Sequence, residues 1–246
     1  MKVGILETGE VHPDLLDTHG DYPRMFAELL GAVDPGLEFL TVRVVSGETL
    51  PDPRDADAWL ITGSRHGVYD DLPWIGPLKE FVRACRAGGV PMVGICFGHQ
   101  IVAEALGGRA VKSDKGWGLG VQSYDVVARP AWMADMPDRF SIRALHQDQV
   151  VALPSDGTVL ARSEHCEYAA VAYGDPEAPD AITLQPHPEY GPEFFDALLT
   201  LRAGTAIPMK VADVARATLA IPVHNPDWAR LIVDYLHLVA APRAGA

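Results

Sequence analysis

Apolar and polar positions along the chain fall into two textures. Over the first 107 residues, short apolar runs alternate with longer stretches of helical period. Residues 3–6 (Val-Gly-Ile-Leu) suit a buried first strand. Residues 24–30 carry helical spacing, with Asp21-Tyr22-Pro23 as a cap before them and Gly31 closing them. Residues 41–45 are rich in β-branched side chains and predict a second strand, and residues 58–62 predict a third that ends at Gly63-Ser64. Helical period returns over residues 74–87 and stops at Gly88-Gly89. Residues 92–95 then predict a fourth strand and residues 99–106 a helix. Strand alternating with helix is the pattern of a parallel sheet covered on both faces.

Beyond residue 107 the texture changes. Short strand-like runs at 121–128, 140–145, 158–161, 168–172 and 181–184 are separated by Pro, Gly and Asp. Helical pattern resumes at 193–201, 211–219 and 227–238. No internal repeat, low-complexity tract or linker interrupts the chain. The expectation is a single α/β domain over residues 1–240: a core at 1–203, a helical extension at 204–240, and a frayed tail at 241–246. The extension carries an apolar stripe (Leu231, Ile232, Tyr235, Leu236, Leu238) that covers the core or meets a second copy or a synthase partner.

Composition narrows the function classes. A chain of 246 residues buries a sizeable core. The formal charge of −13, with no basic cluster against it, argues against a nucleic-acid surface. No apolar run approaches the roughly 20 residues that span a membrane, and residues 1–7 lack the apolar core of a signal peptide. Three cysteines make no disulfide framework. A cytoplasmic location is expected.

One cysteine differs from the others in context. Gly94-Ile95-Cys96-Phe97-Gly98 ends an apolar run and opens a helix, a G-x-nucleophile-x-G elbow with a thiol at its tip. The glycines have a steric task. At so tight a turn, side chains two before and two after the nucleophile would meet the neighbouring strand and helix. The N-terminus of the following helix brings partial positive charge to the sulfur and favours the thiolate. Cys85, at apolar spacing with Phe81 and Val82, and Cys166 lack flanking glycines and read as small buried hydrophobes.

A thiolate nucleophile needs an imidazole to carry its proton and a group to orient that imidazole. Among nine histidines, His187 in Gln185-Pro186-His187-Pro188-Glu189 fits best. Flanking prolines hold the segment extended, so His187 and Glu189 point to the same side and Glu189 can accept the ring N–H. Asn225 precedes a helix and reads as part of its cap. Ser64 lacks the first glycine of an elbow. Cys96 and His99 have no second pair at metal-site spacing. Gly116-Trp117-Gly118-Leu119-Gly120 is not a dinucleotide motif, and no P-loop is present.

The run Gly94-Ile95-Cys96-Phe97-Gly98-His99-Gln100, with His187-Pro188-Glu189 about ninety residues later, resembles the class I (triad-type) glutamine amidotransferases. The likeness is greatest to the branch of free-standing γ-glutamyl peptidases and GMP-synthase-like amidotransferase domains, and it spans residues 1–200. It implies a flavodoxin-like, three-layer α/β sandwich with a mostly parallel central sheet, and no cofactor or metal. It implies a triad of Cys96, His187 and Glu189, with the Ser64 and Phe97 amides as the oxyanion hole, Ser64 standing where the family has glycine. Gly63, Gln100, His146 and Gln147 fall at substrate-lining positions. The implied activity is cleavage of the γ-glutamyl amide of glutamine through a cysteine thioester. The ammonia would pass to a separate synthase subunit, since no ATP-binding loop is present. Residues 19–23 and 62–67 look more like the peptidase branch, which acts on glutathione-like γ-glutamyl compounds. A thiol sensor or binding module is the non-enzymatic alternative.

Overall fold

The structure, a computed structural model, describes residues 1–240, and the tail expected to fray (241–246) lies outside the described residues. In chain order the elements are β1 (Lys2–Leu6), α1 (Pro13–His19), α2 (Tyr22–Gly31), β2 (Glu38–Val42), β3 (Ala58–Ile61), α3 (Ile75–Ala87), β4 (Met92–Ile95) and α4 (Phe97–Ala105). They continue with β5 (Arg109–Lys112), β6 (Gly118–Val126), β7 (Arg139–His146), β8 (Asp148–Ala152), β9 (Gly157–Arg162), β10 (Ala170–Tyr173) and β11 (Ala181–Leu184). Three helices complete the described residues: α5 (Pro192–Arg202), α6 (Met209–Ala217) and α7 (Asn225–Ala240).

One nine-stranded sheet in the order β2-β1-β3-β4-β11-β10-β9-β6-β7 forms the centre, with β5 and β8 paired beside it. From β2 to β11 neighbouring strands run parallel, and from β11 to β7 they alternate in direction. The sheet is sandwiched as an α/β fold requires. On one face Val3 and Ile5 of β1 pack with Phe26 and Leu30 of α2 and with Trp228, Ile232 and Leu236 of α7. On the other, Trp59 and Ile61 of β3 pack with Leu78 and Val82 of α3 and with Ile101 and Val102 of α4. Each such buried side chain contributes about 1.5–3 kcal/mol by leaving water. Gly4 makes room for this packing: a Cβ there would lie 2.2 Å from the Trp59 ring.

Three local differences from the sequence pattern have physical causes. The second strand spans Glu38–Val42 rather than 41–45, because Val44–Ser46 turns into a short 3-10 helix that returns Val45 N–H to the Glu7 carbonyl at 3.0 Å. Helix α1 buries no side chain and so carries no apolar stripe to reveal it. Strands β5 and β8 pair outside the main sheet and lack an alternating buried face. Asp21 does cap α2, accepting the Arg24 N–H at 2.9 Å, but the helix starts at Tyr22 and Gly31 is its last residue rather than its stop. In the extension, Thr218, the residue after α6, ties that helix to β6: its Oγ1 accepts the Val121 N–H at 2.8 Å. Leu231, Ile232, Tyr235 and Leu236 of α7 are buried in the core, while Leu238 is exposed. No helix among the described residues is long and apolar enough to cross a membrane.

Candidate active site

Cys96 stands between β4 and α4 with φ of +53°, the one non-glycine residue at positive φ among the described residues. Such a conformation costs about 1–3 kcal/mol and persists where its surroundings over-determine it. Those surroundings are visible. The Cys96 N–H is bound by the Leu184 carbonyl at 2.8 Å, and its own carbonyl accepts from Gln100 N–H at 3.1 Å. A Cβ on Gly94 would lie 2.5 Å from the Gly98 carbonyl oxygen, and one on Gly98 would lie 2.2 Å from that of Ile61. Both glycines are therefore required by contact with backbone, as the turn predicts. Cys85 and Cys166 are buried, and burial pushes both thiols up to about 12. His99 is also buried, with Nδ1 2.7 Å from Thr183 Oγ1, and burial drives it down to about 3.

The turn after β11 brings His187 to Cys96. Glu189 Oε1 accepts from His187 Nδ1 at 2.7 Å, and the two side chains are 0% and 3% exposed respectively. Burial alone would disfavour the charged ring. The Glu189 carboxylate and the Cys96 thiol outweigh it and raise His187 to about 10. With Nδ1 committed to Glu189, Nε2 is the nitrogen left for the thiol. Tyr190 lies flat on the imidazole, with ring centroids 4.0 Å apart and planes within 4°. Tyr190 packs in turn on Tyr22 and Phe194.

The backbone of this turn is tied down from afar. The His187 N–H donates to the Arg143 carbonyl at 2.8 Å, and Arg143 Nη1 donates to the Tyr190 carbonyl at 3.0 Å. Asn225 differs from its expected part in a helix cap. Its Nδ2 donates to the carbonyls of Pro188 (2.7 Å) and Tyr190 (3.0 Å), not to its own helix.

Gly63 fits between the two halves of the site. A Cβ there would lie 2.9 Å from His187 Cε1 and 3.6 Å from Cys96 Cβ. Its carbonyl accepts from the hydroxyls of Thr62 (3.2 Å) and Thr8 (3.3 Å). No cis peptide occurs among the described residues, so the N–H of the next residue, Ser64, points to the opposite side, away from the threonines. The Phe97 N–H opens α4, where a helix leaves its first donors without intrahelical partners.

Ser64 and Cys96 reach a cleft of about 430 Å³ that Gln100, His146 and Gln147 also line. Gln100 Nε2 donates to the Asp148 carbonyl (3.1 Å) and to Gln185 Oε1 (3.2 Å). His146 Nδ1 donates to the Asp148 carbonyl at 3.2 Å, and burial lowers this ring to about 3, so it is neutral. The lining carries charge of both signs, from Arg65, Lys112 and Arg202 and from Asp70 and Asp148. No group of three or more His, Cys, Asp or Glu side chains suited to a metal occurs among the described residues. Sequence reasoning missed Tyr190, Arg143, Thr8 and the placement of Asn225. Only Tyr190 carried a signal, an aromatic directly after Glu189.

Comparison with known proteins gives the family and the fold. Residues 25–201 match the family model for class-I glutamine amidotransferases. Gamma-glutamyl peptidase 4 of Arabidopsis thaliana is 31% identical over 211 residues, covering 82% of this chain and 81% of that protein. One subunit of the glutamine-hydrolysing GMP synthase of Halobacterium salinarum is 30% identical over 178 residues, covering 72% of this chain and 88% of that protein. The solved glutamine amidotransferase of Methylobacillus flagellatus superposes with a TM-score of 0.72 at 22% identity, covering 100% of this chain and 96% of that one. The α/β sheet and the matched span agree, and the chain belongs to the class-I glutamine amidotransferase family.

Proposed function

We propose that this protein hydrolyses the γ-glutamyl amide of glutamine through a thioester on Cys96. The observation that carries this reading is the Cys96 elbow facing a His187 ring whose Nδ1 is bound by Glu189 at 2.7 Å. Cys96 Sγ attacks the γ-carbonyl, and the Ser64 and Phe97 N–H groups stabilise the oxyanion, each worth a few kcal/mol. His187 gives its proton to the leaving nitrogen, the C–N bond breaks, and ammonia departs. The neutral ring then takes a proton from water, the resulting hydroxide attacks the thioester, and glutamate leaves as the Cys96 thiolate and His187 imidazolium are restored. Gly63, Gln100, His146 and Gln147 line the γ-glutamyl subsite. A separate synthase subunit would receive the ammonia. The enzyme works in the cytoplasm and needs no cofactor.

A second reading has its own support. The cleft of about 430 Å³, whose lining has Arg65, Lys112 and Arg202 against Asp70 and Asp148, suits a γ-glutamyl peptide whose leaving amine carries a carboxylate. The similarity to a gamma-glutamyl peptidase points the same way. A panel of glutamine, glutathione and γ-glutamyl amides, read as free glutamate, separates the two. Turnover of glutamine is expected under the first reading, and turnover of peptides without glutamine would replace it by the second. If nothing is hydrolysed and a glutamine-like affinity label fails to trap Cys96, both are wrong.

A further inference from the structure

The segment carrying His187 and Glu189 is gripped by α7, the last helix among the described residues, which lies outside the span matched to the family. Asn225, the first residue of α7, donates to the carbonyls of Pro188 and Tyr190, the two residues flanking Glu189. Both contacts are acceptors, which fixes the amide with its nitrogen toward the turn. Glu189 needs such help. Its Oε2 is buried without a hydrogen-bond partner, so the side chain is anchored by its single bond to His187. What keeps the carboxylate in place is therefore its backbone. Helix α7 is a firm base for that grip, since Trp228, Ile232, Tyr235 and Leu236 are all buried in the core. The orientation of Asn225 also separates this role from capping. A cap would turn its oxygen to the first N–H groups of α7, whereas here Oδ1 is buried without a partner.

We propose that Asn225 is a positioning residue that pins the Pro188–Tyr190 backbone and thereby holds Glu189 on the His187 imidazole. The inference rests on the reading of His187 as proton carrier. The ionisable groups facing the ring are Glu189 from its own turn, Cys96 from the elbow, the stacked Tyr190, and neutral His146 from β7.

The test uses Asn225→Ala and the nearly isosteric Asn225→Leu in the full chain. The first readout is the pH dependence of Cys96 alkylation by iodoacetamide, mapped by mass spectrometry, which needs no substrate. Its alkaline inflection should move down by about one pH unit in both variants, because a displaced Glu189 no longer sustains the imidazolium. With whichever γ-glutamyl compound the wild type hydrolyses, kcat should fall about tenfold to a hundredfold with KM changed far less. Ile232→Val, which loosens α7 without touching the turn, should leave the inflection in place. An unmoved inflection in the Asn225 variants, an equal shift in Ile232→Val, or failure of both Asn225 variants to fold would overturn the proposal. If the wild type hydrolyses nothing yet the inflection still moves, the functional reading fails and the positioning role stands.

Discussion

The elbow at residues 92–100 and the turn at residues 185–190 differ in how much of their placement comes from neighbours in the chain. Around Cys96, the turn is made by its neighbours, with ties from the two adjoining strands: Gly98 clears the Ile61 carbonyl of β3, and the Leu184 carbonyl of β11 binds the Cys96 N–H. Gly94 and Gly98 clear the backbone contacts, Ile95 and Phe97 are buried, and the helix that follows begins one residue later. Around His187, the constraints come from far along the chain. Arg143 of β7 holds the His187 N–H and the Tyr190 carbonyl, Asn225 of α7 holds the carbonyls beside Glu189, and Tyr22 of α2 backs Tyr190. A nucleophile on such a turn is fixed once its own strand and helix sit between β3 and β11. A base whose charge state must be tuned is placed by the assembled fold, and its properties are exposed to changes at a distance.

The sharpest way to break this contrast is at the nucleophile. Cys96→Ala should abolish glutamate release, a loss of about 10⁴-fold or more, while the unfolding temperature stays at or above that of wild type because the variant removes no packing beyond one sulfur. Steady-state turnover and thermal unfolding check the two halves of that statement. A large fall in stability would show that the thiol, and not its turn, organises the elbow.

Glu189→Gln comes next. It preserves shape and removes the charge that helps lift His187 to about 10, so kcat should fall about 10²–10⁴-fold. The sign of the linked stability follows. A raised imidazole pKa contributes stability that is fully present below its ordinary value of 6.5 and lost as pH rises through about 10. Wild type should therefore lose stability between those limits by more than the variant does. Parallel denaturant titrations at several pH values measure it, and identical slopes would remove Glu189 from the role.

Tyr190→Leu should have the smallest effect. It takes away a ring stacked 4.0 Å from the imidazole and leaves Glu189 and the backbone ties intact. A fall in kcat of about tenfold is expected, with little change in KM. If kcat is unchanged, the stack is packing alone.

Much of this was legible along the chain. The α/β pattern, the glycines flanking Cys96, and the two-residue spacing of His187 and Glu189 are short-range facts, and the structure places those residues together in one site. Helix α1 and strands β5 and β8 were not legible, because none presents a clean buried face to write a period into the sequence. Asn225 was misread for a related reason. A helix-start asparagine has a local use, and nothing in its neighbours tells that its amide turns to a loop 35 residues away.

The sequence by itself determined that residue 96 would be a thiol on a strained turn at a helix N-terminus, since a G-x-C-x-G pattern between an apolar run and a helical run marks that turn. Only the tertiary structure decided that His187 would meet it. The meeting depends on β11 inserting beside β4, with Ile95 paired to Leu184 and the Cys96 N–H bound to the Leu184 carbonyl. That register sets the two strand ends level, so the chain leaving each one arrives at the same cleft. Strand pairing across ninety residues is chosen by the packing of the whole sheet, and no local pattern encodes it.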